Sequence, residues 1–185
     1  FIDDLKLSKN RENVVFIMAG GKGERLKPVT NNFPKPMLLV SGKPMLEIII
    51  NQFIQYGFRS FLISVHYLKD KIINYFGDGN KWGVKIRYIE EHKPLGTAGS
   101  LAMIDEYLNK PFFCINADII SKVNYLNLLE DHIHSNSDAT ICIRENLIQL
   151  PYGVVTLSED QKKVKSIDEK PYLNNNINAG IYVFN

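Results

Sequence analysis

Short apolar runs alternate with amphipathic segments through the first two thirds of the chain. Residues 14–18 form a compact Val- and Ile-rich run, as a buried strand requires. Met45, Ile48, Ile49, Phe53 and Tyr56 recur at helical spacing between Pro44 and Gly57, which predicts a helix over 44–56. The pattern continues with a strand at 61–65, a helix at 68–76, a strand at 84–89, a helix at 99–108 halted by Pro111, a strand at 112–115 and a helix at 125–133. Residues 139–143, 153–157, 164–167 and 177–184 then read as strands with little helix between them. Such alternation predicts an α/β chain with a parallel, doubly wound sheet and helices on both faces. Ligands bind such sheets at the carboxyl ends of the strands, here the loops after Met18, Ile89 and Ile115.

Composition narrows the function classes. The 185 residues suit one domain, and 45% hydrophobic with 23% charged residues is ordinary globular chemistry. Twenty-two basic against 20 acidic residues leave a net charge of +2, which supplies no electrostatic reason to bind nucleic acid or an anionic membrane. No apolar run approaches the roughly 20 residues of a membrane span. Cys114 and Cys142 lie in apolar runs and read as buried thiols, neither a disulfide framework nor a metal clip. His66, His92, His132 and His134 lack metal-type spacing and are expected at the surface or at helix ends. Trp82 and Tyr88 read as packing groups. The chain opens at Phe1 without a leader, so a cytoplasmic location is expected. It stops inside an apolar run, so the expectation is a domain over 13–185 that is incomplete at its C-terminal end, with 1–12 as a linker from an upstream domain.

The loop after the first strand reads Ala19-Gly20-Gly21-Lys22-Gly23-Glu24-Arg25-Leu26. Three glycines in four positions let backbone amides approach a ligand, and Lys22 and Arg25 add positive charge, which is chemistry for phosphate. The loop is neither a P-loop nor a dinucleotide fingerprint, because Leu26 stands where the third glycine would be. Lys35 lies between Pro34 and Pro36, which stiffen the segment and hold one ammonium in place.

Taken together, Gly20-Gly21-x-Gly23-x-Arg25-Leu26-x-Pro28-x-Thr30 followed by Pro34-Lys35-Pro36-Met37 resembles the signature of the sugar-1-phosphate nucleotidyltransferases, or nucleotide-sugar pyrophosphorylases. The run Pro94-Leu95-Gly96-Thr97-Ala98-Gly99-Ser100 looks like that family's second nucleotide loop, and Asn116-Ala117-Asp118 like its metal-binding turn. Tyr152-Gly153-Val154-Val155, Glu169-Lys170-Pro171 and Asn178-Ala179-Gly180 look like its sugar-side motifs, in the family's order. The resemblance implies a Rossmann-like, doubly wound, mixed but mostly parallel sheet. It also implies the reaction of an NTP with a sugar 1-phosphate to form an NDP-sugar and pyrophosphate.

Roles follow from the resemblance. Arg25 would grip the leaving phosphates, Lys35 would neutralise charge near the α-phosphate, Lys170 would hold the sugar phosphate and Asp118 would carry Mg²⁺. For Asp118 the alternative is an Asx-turn or helix cap before Ser121. Ala19, Gly20, Gly21, Gly23, Glu91, Gly96 and Thr97 would line the nucleotide, and Tyr152, Gly153, Glu169 and Asn178 the sugar. The family's second metal-binding aspartate has no match here, Asp168 included. Ala117, where glycine often stands, departs from the pattern.

Glu91 lies five residues before Gly96, where uridylyl- and thymidylyltransferases of the family typically carry Gln. A carboxylate accepts from both N1–H and N2–H₂ of guanine but repels pyrimidine carbonyls, so GTP is expected, with Glu90 as the competitor if the register slips by one. Mannose-1-phosphate is the expected acceptor; glucosamine-1-phosphate and heptose-1-phosphate stay open. So do a uridylyl- or thymidylyltransferase acting on glucose-1-phosphate and a nucleotide-sugar sensor without turnover. The opening Arg11-Glu12-Asn13-Val14-Val15 looks like bacterial relatives with upstream CBS domains, whose product feeds surface polysaccharide synthesis. A homo-oligomer is left open.

Overall fold

The computed structural model describes residues 10–92, 99–104 and 108–185. These form strands β1 (Arg11–Met18), β2 (Leu39–Val40), β3 (Lys43–Pro44), β4 (Phe58–Val65), β5 (Lys85–Glu90), β6 (Phe112–Asn116), β7 (Ala139–Gln149), β8 (Gly153–Leu157), β9 (Val164–Glu169) and β10 (Tyr172–Phe184). Three α-helices accompany them, α1 (Met45–Gln55), α2 (Lys69–Phe76) and α3 (Tyr125–Ser135). No helix among the described residues is long and apolar enough to cross a membrane.

The chain divides into two compact units, one running to Ile141 and taken up again at Gly180–Asn185, the other Cys142–Ala179. A six-stranded sheet has the order β5-β4-β1-β6-β10-β7. β1 pairs in parallel with β4 and β6, and β4 with β5, whereas β10 runs antiparallel to β6. The sheet is therefore mixed and mostly parallel, as expected. The chain travels outward from β1 to β4 and β5, then returns to place β6 on the other side of β1. That reversal puts a topological switch point at the carboxyl end of β1, where neighbouring connections diverge and leave a crevice.

Helix α1 buries Leu46, Ile49, Ile50 and Phe53, a stripe shifted by one position from the predicted face, because Met45, Ile48 and Tyr56 are only partly covered. Phe53 stacks on Tyr125 of α3 at 3.9 Å between ring centroids and meets Phe58, Phe61 and Phe113 edge-on, so one aromatic cluster locks α1 and α3 to the sheet. Side chains on alternate strand positions, Phe16, Leu62 and Cys114, point to a second cluster with Ile104 and Phe112. Leu101 and Leu108 pack against it.

The predicted helix at 99–108 is a 3₁₀ turn, Gly99–Met103, among the described residues. The partly buried Leu101 and the buried Ile104 just past the turn are three residues apart, which matches the 3₁₀ repeat, and Gly99 and Ser100 favour an α-helix poorly. The hairpin β2–β3 was not predicted; Ser41 and Gly42 both take positive φ (51° and 80°), the turn a two-residue hairpin needs. β7 and β10 run past their apolar segments into Arg144-Glu145 and Asn174-Asn175-Asn176, because ladder pairing overrides weak strand propensity.

One expectation is sharpened and one corrected. His132 lies in the last turn of α3, one of the two places expected for it, and is 1% exposed. Its Nδ1 lies 2.7 Å from Thr140 Oγ1 and its Nε2 3.2 Å from Asn185 Oδ1, so the ring joins α3 to β7 and to the end of the chain with its polar atoms satisfied. Cys142 is only half-buried, whereas Cys114 is buried and desolvation pushes its thiol up to about 12. Trp82 packs on Phe76, and Tyr88 donates to Gly77 O at 2.7 Å, both in packing roles as expected.

In the second unit, β8 and β9 form a two-stranded antiparallel ribbon with Gly153 opposite Glu169 and Val155 opposite Ile167.

Candidate active site

A cleft of about 590 Å³ opens at the switch point. Each wall is a segment leaving the carboxyl end of a parallel strand. The loop after β1 supplies Ala19, Gly20, Gly21, Gly23 and Arg25, the end of β4 supplies Ser64, the residue after β5 is Glu91, and the end of β6 supplies Asn116, Ala117 and Asp118. Lys35 and Pro36 close the remaining side. Backbone bonds extend the ladder past the strands and fix these segments: Ala19 N–H donates to Ser64 O (3.0 Å), Ala117 N–H to Met18 O (3.1 Å) and Glu91 N–H to Val65 O (3.0 Å).

The three glycines of the first loop have different reasons to be glycine. Gly23 sits at φ 64°, and a Cβ there would meet Thr30 Cγ2 at 3.0 Å and Lys35 Cβ at 3.2 Å. Thr30, 1% exposed, donates its hydroxyl to Gly23 O at 3.0 Å. Gly23, Thr30 and Lys35, scattered along the motif, thus form one packed unit. At Gly21 a Cβ would meet nothing within 4 Å, so its backbone is open to an approaching ligand. At Gly20 the added atom would meet the carboxylate of Glu91.

Pro34 precedes a 3₁₀ turn, Lys35–Met37, in which Met37 N–H donates to Pro34 O (2.8 Å) and Leu38 N–H to Lys35 O (3.1 Å). The stiffened turn aims Lys35 Nζ at the Asp118 carboxylate, and the two form an ion pair. Asp118 therefore meets a cation, and it is Asn124 that caps α3, accepting from the Leu126 and Asn127 amides. Arg25 is exposed on the cleft and, among the described residues, is in no ion pair. Glu24 is neutralised by Lys27 at 2.5 Å, which holds its carboxyl below the usual range. Lys22 is exposed and does not line the cleft.

Glu90 and Glu91 separate cleanly. Glu90 ends β5, faces outward and pairs with Lys69 at 2.5 Å. Glu91 is 9% exposed and lines the cleft, and His66 Nδ1 lies 2.7 Å from its backbone oxygen.

Arg25, Lys35, Asp118, Ala19, Gly20, Gly21, Gly23 and Glu91 therefore share one cleft. Gly96 and Thr97, with most of their loop, lie outside the described residues. Tyr152, Gly153, Glu169, Lys170 and Asn178 belong to the second unit. There the Glu169 carboxylate lies over Gly153, 3.0 Å from where a Cβ would stand, and Tyr152 is 72% exposed. Lys170 adopts φ 47°, unusual for a side chain with a Cβ, and its N–H donates to Tyr152 O at 3.2 Å. Sequence reasoning missed Ser64 and gave Asn116 no role beyond its place in the Asn116-Ala117-Asp118 turn; both are opposite Met18 on its two neighbouring strands. Their signal was positional, at the carboxyl ends of the strands beside β1.

Asp118 is one hard carboxylate facing the cleft, with a cation already against it in Lys35. No group of three or more His, Cys, Asp or Glu able to hold a metal occurs among the described residues. A single carboxylate suits Mg²⁺, which keeps most of its waters and takes other ligands from substrate phosphates.

A family profile described as Nucleotidyl transferase matches residues 14–185. Mannose-1-phosphate guanylyltransferase 1 of Arabidopsis thaliana is 36% identical over 176 residues, 91% of this chain and 49% of that protein. Mannose-1-phosphate guanylyltransferase catalytic subunit beta of Dictyostelium discoideum is 36% identical over 174 residues, 91% of this chain and 48% of that protein. The chain spans about half the length of the curated relatives it matches. HddC from Yersinia pseudotuberculosis, solved in complex with GMP-PN, aligns with a TM-score of 0.71 and 31% identity, covering 93% of this chain and 76% of that one. With the profile running from within β1 to the last residue, and the glycine loop, Lys35 and Asp118 sharing one cleft, the chain belongs to the nucleotidyl transferase family.

Proposed function

We propose that the chain transfers a nucleotidyl group from GTP to mannose-1-phosphate, forming GDP-mannose and pyrophosphate. The observation that carries this reading is the cleft itself. An amide-rich glycine loop, an arginine in no ion pair among the described residues, and a lysine–aspartate pair converge on one switch point. An oxygen of the sugar phosphate attacks the α-phosphorus, a P–O bond forms, and the bond to the bridging oxygen breaks, its electron pair leaving with pyrophosphate. The nucleophile is already an anion, so no general base is required. The barrier is the repulsion between two polyanions, and the protein lowers it by positioning and fixed positive charge.

Arg25 would take the leaving phosphates through its planar fork, and Lys35 would screen the α-phosphate. Asp118 would hold Mg²⁺, which when bound neutralises charge on the phosphates. Glu91 would read the guanine edge; the guanylyltransferase names of the two relatives and the GMP-PN complex of the Yersinia protein support that choice. Lys170 would hold the sugar phosphate, and Tyr152, Gly153, Glu169 and Asn178 would meet the sugar; this assignment rests on their motifs. Gly96 and Thr97 are assigned to the nucleotide on the same ground. The same reading places the reaction in the cytoplasm.

Pyrophosphate release from GTP, UTP and dTTP, each with mannose-1-phosphate and with other hexose 1-phosphates, tests the proposal. Turnover is expected with GTP and mannose-1-phosphate. Tight GDP-mannose binding without pyrophosphate release overturns the catalytic reading, and a preference for UTP or dTTP overturns the base assignment.

A further inference from the structure

Gly20 is not held to glycine by its backbone, because its φ lies outside the left-handed range, unlike that of Gly23. What excludes a side chain is Glu91. A Cβ on Gly20 would stand 3.0 Å from Glu91 Oε1, 3.2 Å from Cδ and 3.4 Å from Oε2. The whole carboxyl group lies against the bare Cα of the phosphate-type loop.

Both partners are anchored. Ala19 is bonded to β4 through Ser64 O, and Glu91 through its own amide to Val65 O, so adjacent residues of one strand set the spacing between loop and carboxylate. Glu91 is also held at its backbone oxygen by His66. The atoms that a Cβ would meet are the far end of the Glu91 side chain, so a methyl group at position 20 would displace the carboxylate.

We infer that Gly20 is a positioning residue for base selection: its missing side chain makes the space that seats the Glu91 carboxylate in the cleft. This rests on the reading that Glu91 selects guanine. The loop that faces the phosphates and the group that faces the base are thereby one mechanical unit, and a change in the loop is read out as a change in which base is accepted.

The test is equilibrium binding of GTP and of UTP to the wild-type chain and to Gly20→Ala, Glu91→Gln and the double variant, with thermal melting of each. Gly20→Ala is expected to fold and to lower the preference for GTP over UTP by about tenfold, as Glu91→Gln does, with no further loss in the double variant. In Gly20→Ala/Glu91→Asp the shorter side chain retracts the carboxylate, and part of the preference returns. Equal weakening of GTP and UTP by Gly20→Ala, with the preference intact, overturns the inference and leaves the base reading standing. An unchanged preference in Glu91→Gln alone overturns the base reading and the inference with it. If Gly20→Ala folds poorly, Gly20→Ala/Glu91→Ala removes the contact and should melt as Glu91→Ala does; a double variant that still folds poorly counts against the inference.

Discussion

Lys35 and Asp118 stand 83 residues apart in the chain and close an ion pair in the cleft. Each belongs to a different motif, and each is assigned a charge-handling role in the proposed reaction. They neutralise one another, so metal and phosphates compete with a partner that each residue already has.

Both side chains are about one third exposed, 34% and 28%, so the pair adds no more than about 1 kcal/mol to stability. Lys35→Ala and Asp118→Asn should therefore shift the urea midpoint little yet lower nucleotidyl transfer by about 100-fold or more. Urea titration beside pyrophosphate release checks both halves. A large loss of stability with activity retained would show the pair to be a scaffold contact.

Magnesium removal follows from the same geometry. Asp118 is paired by Lys35, so EDTA should abolish turnover while leaving the melting temperature unchanged. Asp118→Asn should raise the Mg²⁺ concentration needed for half-maximal rate. A melting temperature that falls with EDTA would mean that the ion is structural.

Thr30 donates to Gly23 O from a buried position, and Thr30→Val keeps the shape while deleting the bond. The expected cost is about 1–2 kcal/mol, with the loop loosened around Lys35. The KM for the nucleotide should rise more than kcat falls, which steady-state kinetics would show.

Cys114 gives the fold an alkaline limit. Its folded thiol is raised by burial from 9.0 to about 12, and Tyr88 is likewise raised from 10.0 to about 12. Over that interval the unfolded chain has lost protons that the folded chain keeps. Stability is thus fully present below pH 9 and declines as pH rises toward 12. Urea midpoints measured across this range should fall, and Cys114→Ala should flatten the decline. A midpoint independent of pH over the same span would refute the burial argument.

His132 joins α3 to β7 through Thr140 and to the chain end through Asn185. His132→Ala leaves a cavity and two polar partners without their bonds, at an expected cost of about 2–4 kcal/mol. Thr140→Val removes one bond alone and should cost less. Chemical denaturation of both variants ranks them, and equal costs would contradict the two-bond network.

The apolar runs at 14–18, 61–65 and 112–115 announced the parallel core because strands buried on both faces are apolar throughout. The glycine loop, Lys35, Glu91 and Asp118 were legible for a related reason. Their chemistry is carried by residue type at fixed offsets from strand ends, and a doubly wound sheet sends strand ends to one place.

Contacts across the sheet were not legible. The choice of Glu91 over Glu90, expected from its offset to Gly96, is fixed in the fold by where β5 ends, which pairing with β4 decides. That Gly20 is glycine for the sake of Glu91, 71 residues away, that Thr30 braces Gly23, and that His132 is buried are all facts of packing, set by which side chains neighbouring strands bring within van der Waals distance. Local periodicity encodes which face of an element is apolar, but the partner that covers it is chosen only when the chain closes on itself.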